Sequence, residues 1–377
     1  MKPKSPRTED HILLTPGPLT TSPDTKGAML HDWGSRDPAF IAMTRRVCDR
    51  LLELAGAKES HVVVPIQGSG TFAVEAAVGT LVPRDGKALV LINGEYGRRI
   101  QRIFEIIGRA HDVLEWPEDT PPDSTQIAQK LAGDGAISHV IAVHCETTSG
   151  ILNPIEDIAR TVAGKGRRLL VDAMSSFGAL PLDGAMDPID GVMASANKCL
   201  EGVPGIGFVV ARRRALEASA GNAPSLSLDL HEQWRVMNQT GQWRFTPPTH
   251  VVAGLDHALT EHEAEGGIKG RGERYRANCQ ALVDGMRALG FKTYLADGLQ
   301  APIIVTFHLP GDPNFDFETF YDRLRDLGFI IYPGKLAAIP SFRIGCIGHI
   351  TAAEIKGAVE AVATVIAEMG VKDCAPA

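Results

Sequence analysis

Six cysteines in 377 residues (Cys48, Cys145, Cys199, Cys279, Cys346 and Cys374) form no CxxC pair and no cluster with histidine. That scatter argues against a disulfide framework or a zinc site and fits free thiols in a reducing cytoplasm. No metal is expected. No apolar run approaches the roughly 20 residues needed to span a bilayer. The basic start, Met1-Lys2-Pro3-Lys4-Ser5-Pro6-Arg7, has no apolar stretch behind it, so a secretory signal is not expected either. Excess positive charge is also missing. A net charge of −7 argues against a general nucleic-acid or anionic-membrane surface, while leaving one local anion pocket open. Internal repeats and low-complexity tracts are lacking as well. What remains is an ordinary globular composition, 44% hydrophobic and 22% charged. The expectation is a soluble cytoplasmic protein, long enough for one large domain and a smaller one.

What the chain does contain is alternation. Short apolar runs at 62–66, 88–92, 111–116, 139–145, 168–173, 191–195 and 206–211 read as buried strands. Stretches of helical character, such as Phe72–Leu81, Arg98–Ile107 and Ile155–Val162, lie between most of them. Alternation of this kind implies an α/β fold whose mainly parallel, seven-stranded sheet is covered on both faces. Ligands in such sheets sit at the carboxyl ends of the strands. A long helical section, about Val251 to Leu289, is expected to break near Gly266-Gly267 and Gly270. Beyond it, strands at Pro302–His308, Phe329–Tyr332 and Phe342–Cys346, with helices near Asp316–Leu327 and Ala352–Met369, predict a small α+β domain. The expected division is an N-terminal arm at 1–15, a large domain at 16–265 and a small C-terminal domain at 266–377.

Two side chains carry the strongest chemical signal. Lys198, in Ser195-Ala196-Asn197-Lys198, sits among small residues before a Gly-rich segment ending at Gly207. It is placed to hold an aldehyde cofactor as a Schiff base; a solvated turn lysine is the plain alternative. Asp172 ends the run Leu169-Leu170-Val171 and could keep a cofactor's ring nitrogen protonated, or merely cap a helix. The pair is the signature of pyridoxal 5'-phosphate chemistry.

Further candidates fall at other strand ends. Gln67-Gly68-Ser69-Gly70-Thr71 opens a helix whose amides, with the Ser69 and Thr71 hydroxyls, make a phosphate cradle in kind. It is neither a Walker A loop nor a full GxGxxG, and a tight strand-to-helix turn would read the same. Tyr96, in Asn93-Gly94-Glu95-Tyr96-Gly97, offers a lid over a flat ring or a half-buried tyrosine. Thr147 and Thr148, in His144-Cys145-Glu146-Thr147-Thr148, offer hydroxyls to a cofactor. Arg343 lies in an apolar run, where a guanidinium needs an anion: an internal carboxylate or a substrate's. Arg36 is a second such candidate, with Asp32 and Asp37 at hand to neutralise it.

Together these segments resemble the class V aminotransferases of fold type I. The matching stretches include Leu14-Thr15-Pro16-Gly17-Pro18, Asp32-Trp33-Gly34-Ser35, Val171-Asp172-Ala173-Met174-Ser175-Ser176, Phe245-Thr246 and Phe342-Arg343-Ile344-Gly345, beside those already quoted. The resemblance implies transamination between an amine donor and a 2-oxo acid. It runs closest to members that take the amino group of an aminophosphonate to pyruvate; those acting on alanine, serine and glyoxylate share the skeleton. It also implies roles: Lys198 for the Schiff base, Asp172 for the ring nitrogen, and Ser69, Gly70 and Thr71 for the cofactor phosphate with Asn197 nearby. Tyr96 takes the stacking position, Thr147 or Thr148 a cofactor contact, and Arg343 the substrate's anion. Thr246 would reach the phosphate from a second subunit, which makes the active unit a homodimer. Arg36 departs from the pattern, where an aromatic residue is commoner, and could change the preferred amine donor.

Overall fold

Seven apolar runs become seven strands of one sheet in the computed structural model, which describes residues 10–336 and 339–377. They are β1 (His61–Gln67), β2 (Lys87–Ile92), β3 (His111–Glu115), β4 (Ile137–Val143), β5 (Arg168–Asp172), β6 (Ile189–Ser195) and β7 (Ile206–Arg212). Their spatial order is β1-β7-β6-β5-β4-β2-β3. Only β7 runs antiparallel to its neighbours, pairing Gly207 with Ile66 on one side and Ser195 on the other. Side chains alternate between two cores: Leu89 and Leu91 of β2 join one, Ala88, Val90 and Ile92 the other. A strand buried on both faces shows no polar alternation, which is why each reads as a continuous apolar run.

Helices cover both faces. Among the described residues, those of eight residues or more are α1 (Pro38–Leu54), α2 (Gly70–Leu81), α3 (Glu95–Ile106), α4 (Ser124–Gly133), α5 (Ile155–Ala163), α6 (Leu230–Thr240), α7 (Thr249–Ala264), α8 (Gly267–Ala288), α9 (Phe317–Asp326) and α10 (Ala352–Met369). Helices α2 and α3 cover the face of Val90 and Ile92; α1, α4, α5 and α7 cover the other. Because six strands run the same way, the loops after β1, β2, β4, β5 and β6 gather along one edge.

The C-terminal layer is a three-stranded antiparallel sheet, β8 (Ile304–His308) beside β10 (Ser341–Gly345) beside β9 (Tyr332–Pro333). Phe291, Phe307, Phe320 and Phe342 form its centre, with α8, α9 and α10 packed around. Ile12 and Leu13, within the expected N-terminal arm, pair in parallel with Phe329 and Ile330, and Leu14 is buried in this layer. Residues 1–9 of that arm lie outside the described residues. The expected helix break at Gly266-Gly267 exists, but Gly270 belongs to the first turns of α8. A Cβ at Gly270 would collide with the Glu265 carbonyl, so the glycine permits close approach there rather than ending a helix.

Candidate active site

The gathered loops enclose a cavity of about 330 Å³. Lys198, Asp172, Tyr96 and the Ser69-Gly70-Thr71 turn all line it, as the strand ends predict. Helix α2 starts there at Gly70, and its Ser69 cap uses no side-chain hydrogen bond. The first amides of α2 and the Ser69 hydroxyl are therefore free to receive an anion. Gly70 has a second constraint: a Cβ on it would run into the Met174 thioether.

Lys198 is held from the opposite wall. Its Nζ donates to the Pro16 carbonyl at 2.6 Å and to Gly17 O at 3.3 Å. The Leu14–Pro18 segment comes this close because Gly17 has φ +112 and a Cβ there would sit 2.6 Å from both Asn197 O and the Lys198 chain. Burial lowers the amine below the ordinary lysine range, with Lys335 adding to the shift. A neutral amine, the nucleophilic form, is thereby made accessible. Behind Lys198, the Arg271 guanidinium donates to Cys199 O at 2.6 Å, and Glu201 accepts from Tyr275 (2.6 Å) and Arg274 (2.7 Å). Helix α8 thus clamps the loop that carries the lysine.

Asp172 is 5% exposed, and burial pushes its carboxyl up to about 6. One oxygen accepts from Met174 N at 2.9 Å. A buried carboxyl facing a cavity with one further acceptor site is suited to a cationic N–H.

The turn after β4 supports the Tyr96 side of the cavity. Glu146 is fully buried, and burial pushes it up to about 7 although four donors converge on it. Its carboxylate accepts from the Thr148 amide and hydroxyl (3.1 and 2.7 Å) and from the Tyr96 and Gly97 amides (3.2 and 3.3 Å). Thr148 Oγ1 in turn accepts from Glu95 N at 2.9 Å. The turn therefore caps α3 and sets the Tyr96 ring against the cavity. The Thr148 hydroxyl is spent on this cap. Thr147 Oγ1 is different: it is buried with no hydrogen bond, since the nearby Tyr96 hydroxyl falls short of bonding geometry. Burial alone would push the Tyr96 phenol up, but Lys198, Thr147 and Lys335 outweigh it and bring it below its ordinary value.

Arg343, on β10, is 1% exposed. Its Nε donates to Pro333 O at 3.0 Å and Nη1 to Thr147 O at 2.8 Å. Among the described residues no carboxylate pairs with it, and burial lowers it below the ordinary guanidinium range. Asn197 Oδ1 accepts from Ser195 Oγ at 3.0 Å at the cavity wall. Thr147, Thr148 and Arg343 are buried and do not line the cavity itself, and two expected residues lie elsewhere in the single chain. Arg36 is exposed and lines a separate polar cavity with Arg244 and Thr246. Thr246 also borders the apolar hollow formed by Gly68, Phe72 and Phe245.

Sequence reading passed over Arg99, Glu146 and Lys335. Arg99 lines the cavity, donates to Thr71 Oγ1 at 3.3 Å and stacks 4.8 Å over Tyr96. Its only local signal was its place one turn after Tyr96. Pyridoxal 5'-phosphate fits what these residues leave open: unused amides and a hydroxyl for phosphate, an unpartnered Thr147 hydroxyl, a neutralisable acid and a buried amine.

Comparison with known proteins agrees. The chain matches the family model of class-V aminotransferases over residues 29–344. It is 56% identical over 360 residues to a 2-aminoethylphosphonate–pyruvate transaminase of Pseudomonas aeruginosa, covering 96% of this chain and 97% of that one. A protein of the same description from Pseudomonas fluorescens is 55% identical over 362 residues, covering 96% and 98%. Pyridoxamine–pyruvate aminotransferase from Mesorhizobium loti superimposes with a TM-score of 0.86 at 25% identity, covering 98% and 95%. Ureidoglycine–glyoxylate aminotransferase from Bacillus subtilis, at TM-score 0.87 and 23% identity over 96% and 94%, shares the fold.

Proposed function

The chain belongs to the class-V aminotransferase family and is a fold type I pyridoxal 5'-phosphate enzyme; on that premise we propose that it transfers the amino group of 2-aminoethylphosphonate to pyruvate. The products are phosphonoacetaldehyde and alanine, a step of phosphonate catabolism. The observation that carries the substrate class is Arg343: a buried guanidinium with no carboxylate partner among the described residues, beside the Thr147 backbone. The names of the 56% and 55% identical relatives support the same reading.

When bound, the cofactor supplies an aldehyde that accepts the amino group and a ring that withdraws electrons from the amine-bearing carbon. Every other task falls to the chain. Ser69 Oγ, Thr71 Oγ1 and the amides at Gly70 would hold the phosphate, with Asn197 nearby. Asp172 would keep the ring nitrogen protonated. Tyr96 would serve as the stacking aromatic, and Thr147 would be the hydroxyl contact, since Thr148 is committed to Glu146. Lys198 would bind the aldehyde. Once displaced by the donor's amine, its Nζ would take the proton from the amine-bearing carbon as base and, as acid, deliver it to the carbon that had been the cofactor's aldehyde. Arg343 would meet the substrates' anionic end with the guanidinium N–H groups that Pro333 and Thr147 leave unused.

The active unit is a homodimer in which Thr246 of the partner subunit completes the phosphate site, which accounts for Thr246 lying outside the cavity of its own chain. Arg36, in the same patch, would then face the partner's cavity mouth. Small metabolite substrates and free cysteines support a cytoplasmic setting; no described helix is long and apolar enough to cross a membrane. Single-turnover mixing tests the substrate assignment. Aminoethylphosphonate should convert the cofactor to its amine form faster than serine or alanine at equal concentration, and pyruvate should reverse it. Faster conversion by alanine or serine, with glyoxylate as the better acceptor, would replace this reading with an alanine/serine–glyoxylate transaminase.

A further inference from the structure

Arg343 supplies one positive charge, but a phosphonate needs more. A phosphoryl group carries about −1.5 to −2 at neutral pH, against −1 for a carboxylate. In aminoethylphosphonate the anionic group is also set one carbon further from the amine-bearing carbon than the carboxylate of alanine. A donor site that prefers the phosphonate therefore wants a second cation, placed outward of the first.

Lys335 stands in that position. It follows the short strand β9, where Tyr332 is register partner to Arg343, and Gly334 N closes the ladder onto Ser341 O at 2.9 Å. The lysine thus lies in the connecting loop of the hairpin that carries Arg343, two residues after Pro333. Its Nζ lies 5.3 Å from the centroid of the Tyr96 ring, the ring that lines the Lys198 cavity. It is exposed, and among the described residues no carboxylate forms an ion pair with it. The Arg343 guanidinium sits 5.8 Å from the Tyr332 ring of the same hairpin. We propose that Lys335 is the specificity-determining second cation for the phosphonate of the amine donor, acting outward of Arg343 and making little contact with the carboxylate of alanine or pyruvate. This rests on the donor assignment made above and sharpens it.

The test compares half-reactions of the holoenzyme and its Lys335→Met and Lys335→Arg variants. Loss of one charged hydrogen bond to the phosphonate predicts that Lys335→Met raises KM for aminoethylphosphonate about 10- to 100-fold. The KM for alanine should move at least tenfold less, and kcat for both donors should stay within a small factor. Lys335→Arg should restore most of the loss. Calorimetric binding of ethylphosphonate and of propionate gives a readout free of turnover: the variant should weaken the first selectively. Added salt should weaken aminoethylphosphonate binding in the wild type more than in Lys335→Met, because an exposed cation is screened. Equal losses for both donors, or no loss for either, would overturn the inference while a wild type that converts aminoethylphosphonate leaves the functional reading standing. A wild type inert to aminoethylphosphonate would overturn both.

Discussion

Replacing Asp172 by asparagine should make the cofactor-free protein more stable while ruining it as an enzyme. The carboxyl is 5% exposed, and burial pushes it up to about 6 from the ordinary 3.8, with the Met174 amide, Arg99 and Lys198 tempering the rise. A folded-state value raised by about two units means that the folded protein binds the proton more tightly than the unfolded chain does. The charged form is then a liability: absent below pH 3.8, growing between 3.8 and 6, and full above 6. Its full size is about 3 kcal/mol, and at pH 5 about half of that. Asparagine keeps an oxygen for the Met174 amide and carries no charge. For 377 residues at roughly 2 cal/mol/K each, 3 kcal/mol is a shift of about 4 °C in Tm. The assay is calorimetry of wild type and Asp172→Asn, stripped of cofactor and at fixed protein concentration, from pH 4.5 to 8.5. Asparagine should win by about 4 °C at pH 8, and its advantage should shrink toward acid. With cofactor bound the order should reverse, because the cationic ring N–H then meets a carboxylate only in the wild type. A flat difference across pH, or a less stable stripped variant at pH 8, would refute the electrostatic account.

Lys198→Ala should leave no peptide labelled by borohydride reduction of the cofactor-loaded protein and lower turnover by at least about 10³-fold; a labelled peptide elsewhere would move the assignment. Gly70→Ala should push its methyl into Met174, weakening cofactor binding more than tenfold and lowering stability by about 1–3 kcal/mol, and a second change, Met174→Ala, should recover part of both in fluorescence titration and thermal melts. Glu146→Ala strips a shared acceptor from three amides and a hydroxyl, so denaturant unfolding should register a loss of about 2–4 kcal/mol, with Glu146→Gln losing less. If Thr246 serves the partner, mixing inactive Lys198→Ala and Thr246→Arg chains should regenerate up to a quarter of wild-type activity, since half the dimers formed at random are hybrids with one intact site.

The main sheet was legible in the chain because each strand is buried on both faces; the runs at 62–66 and 206–211 differ from β1 and β7 by a residue or so at each end. What an apolar run does not encode is direction, so nothing local marks β7 as the antiparallel member. Helix α6 escaped notice because only Leu230 and Gln233 of its eleven residues are buried, leaving no apolar stripe to count. At the site, Asp172 ends a buried strand and Lys198 follows one by three residues among small neighbours, where a charge needs a reason. Arg99 and Lys335 had no such contrast: an arginine on an amphipathic helix and a lysine after Pro-Gly look solvated until the fold brings Tyr96 between them. Glu146 was hidden by its neighbours, two threonines that looked more like ligands than it did.

A transaminase must admit two different anions to one cavity in turn, and Arg343 and Lys335 divide that labour by their stiffness. Arg343 is held by two backbone carbonyls at 3.0 and 2.8 Å and is sealed from water, so its fork cannot travel. A fixed fork cannot follow anions set at different distances from the amine-bearing carbon, and the carboxylate of alanine and the phosphonate differ by one carbon. Lys335 removes the conflict. Its ammonium rides on a flexible four-carbon stem at the surface, where shifting by an ångström disturbs no buried partner. The fixed guanidinium can then serve the acceptor and part of the donor, while the mobile ammonium takes the charge that only the donor has. Placing both cations in the interior would have left the cavity with an uncompensated charge in each pyruvate half-reaction, an expensive state in low dielectric. Keeping the second one in water avoids that penalty.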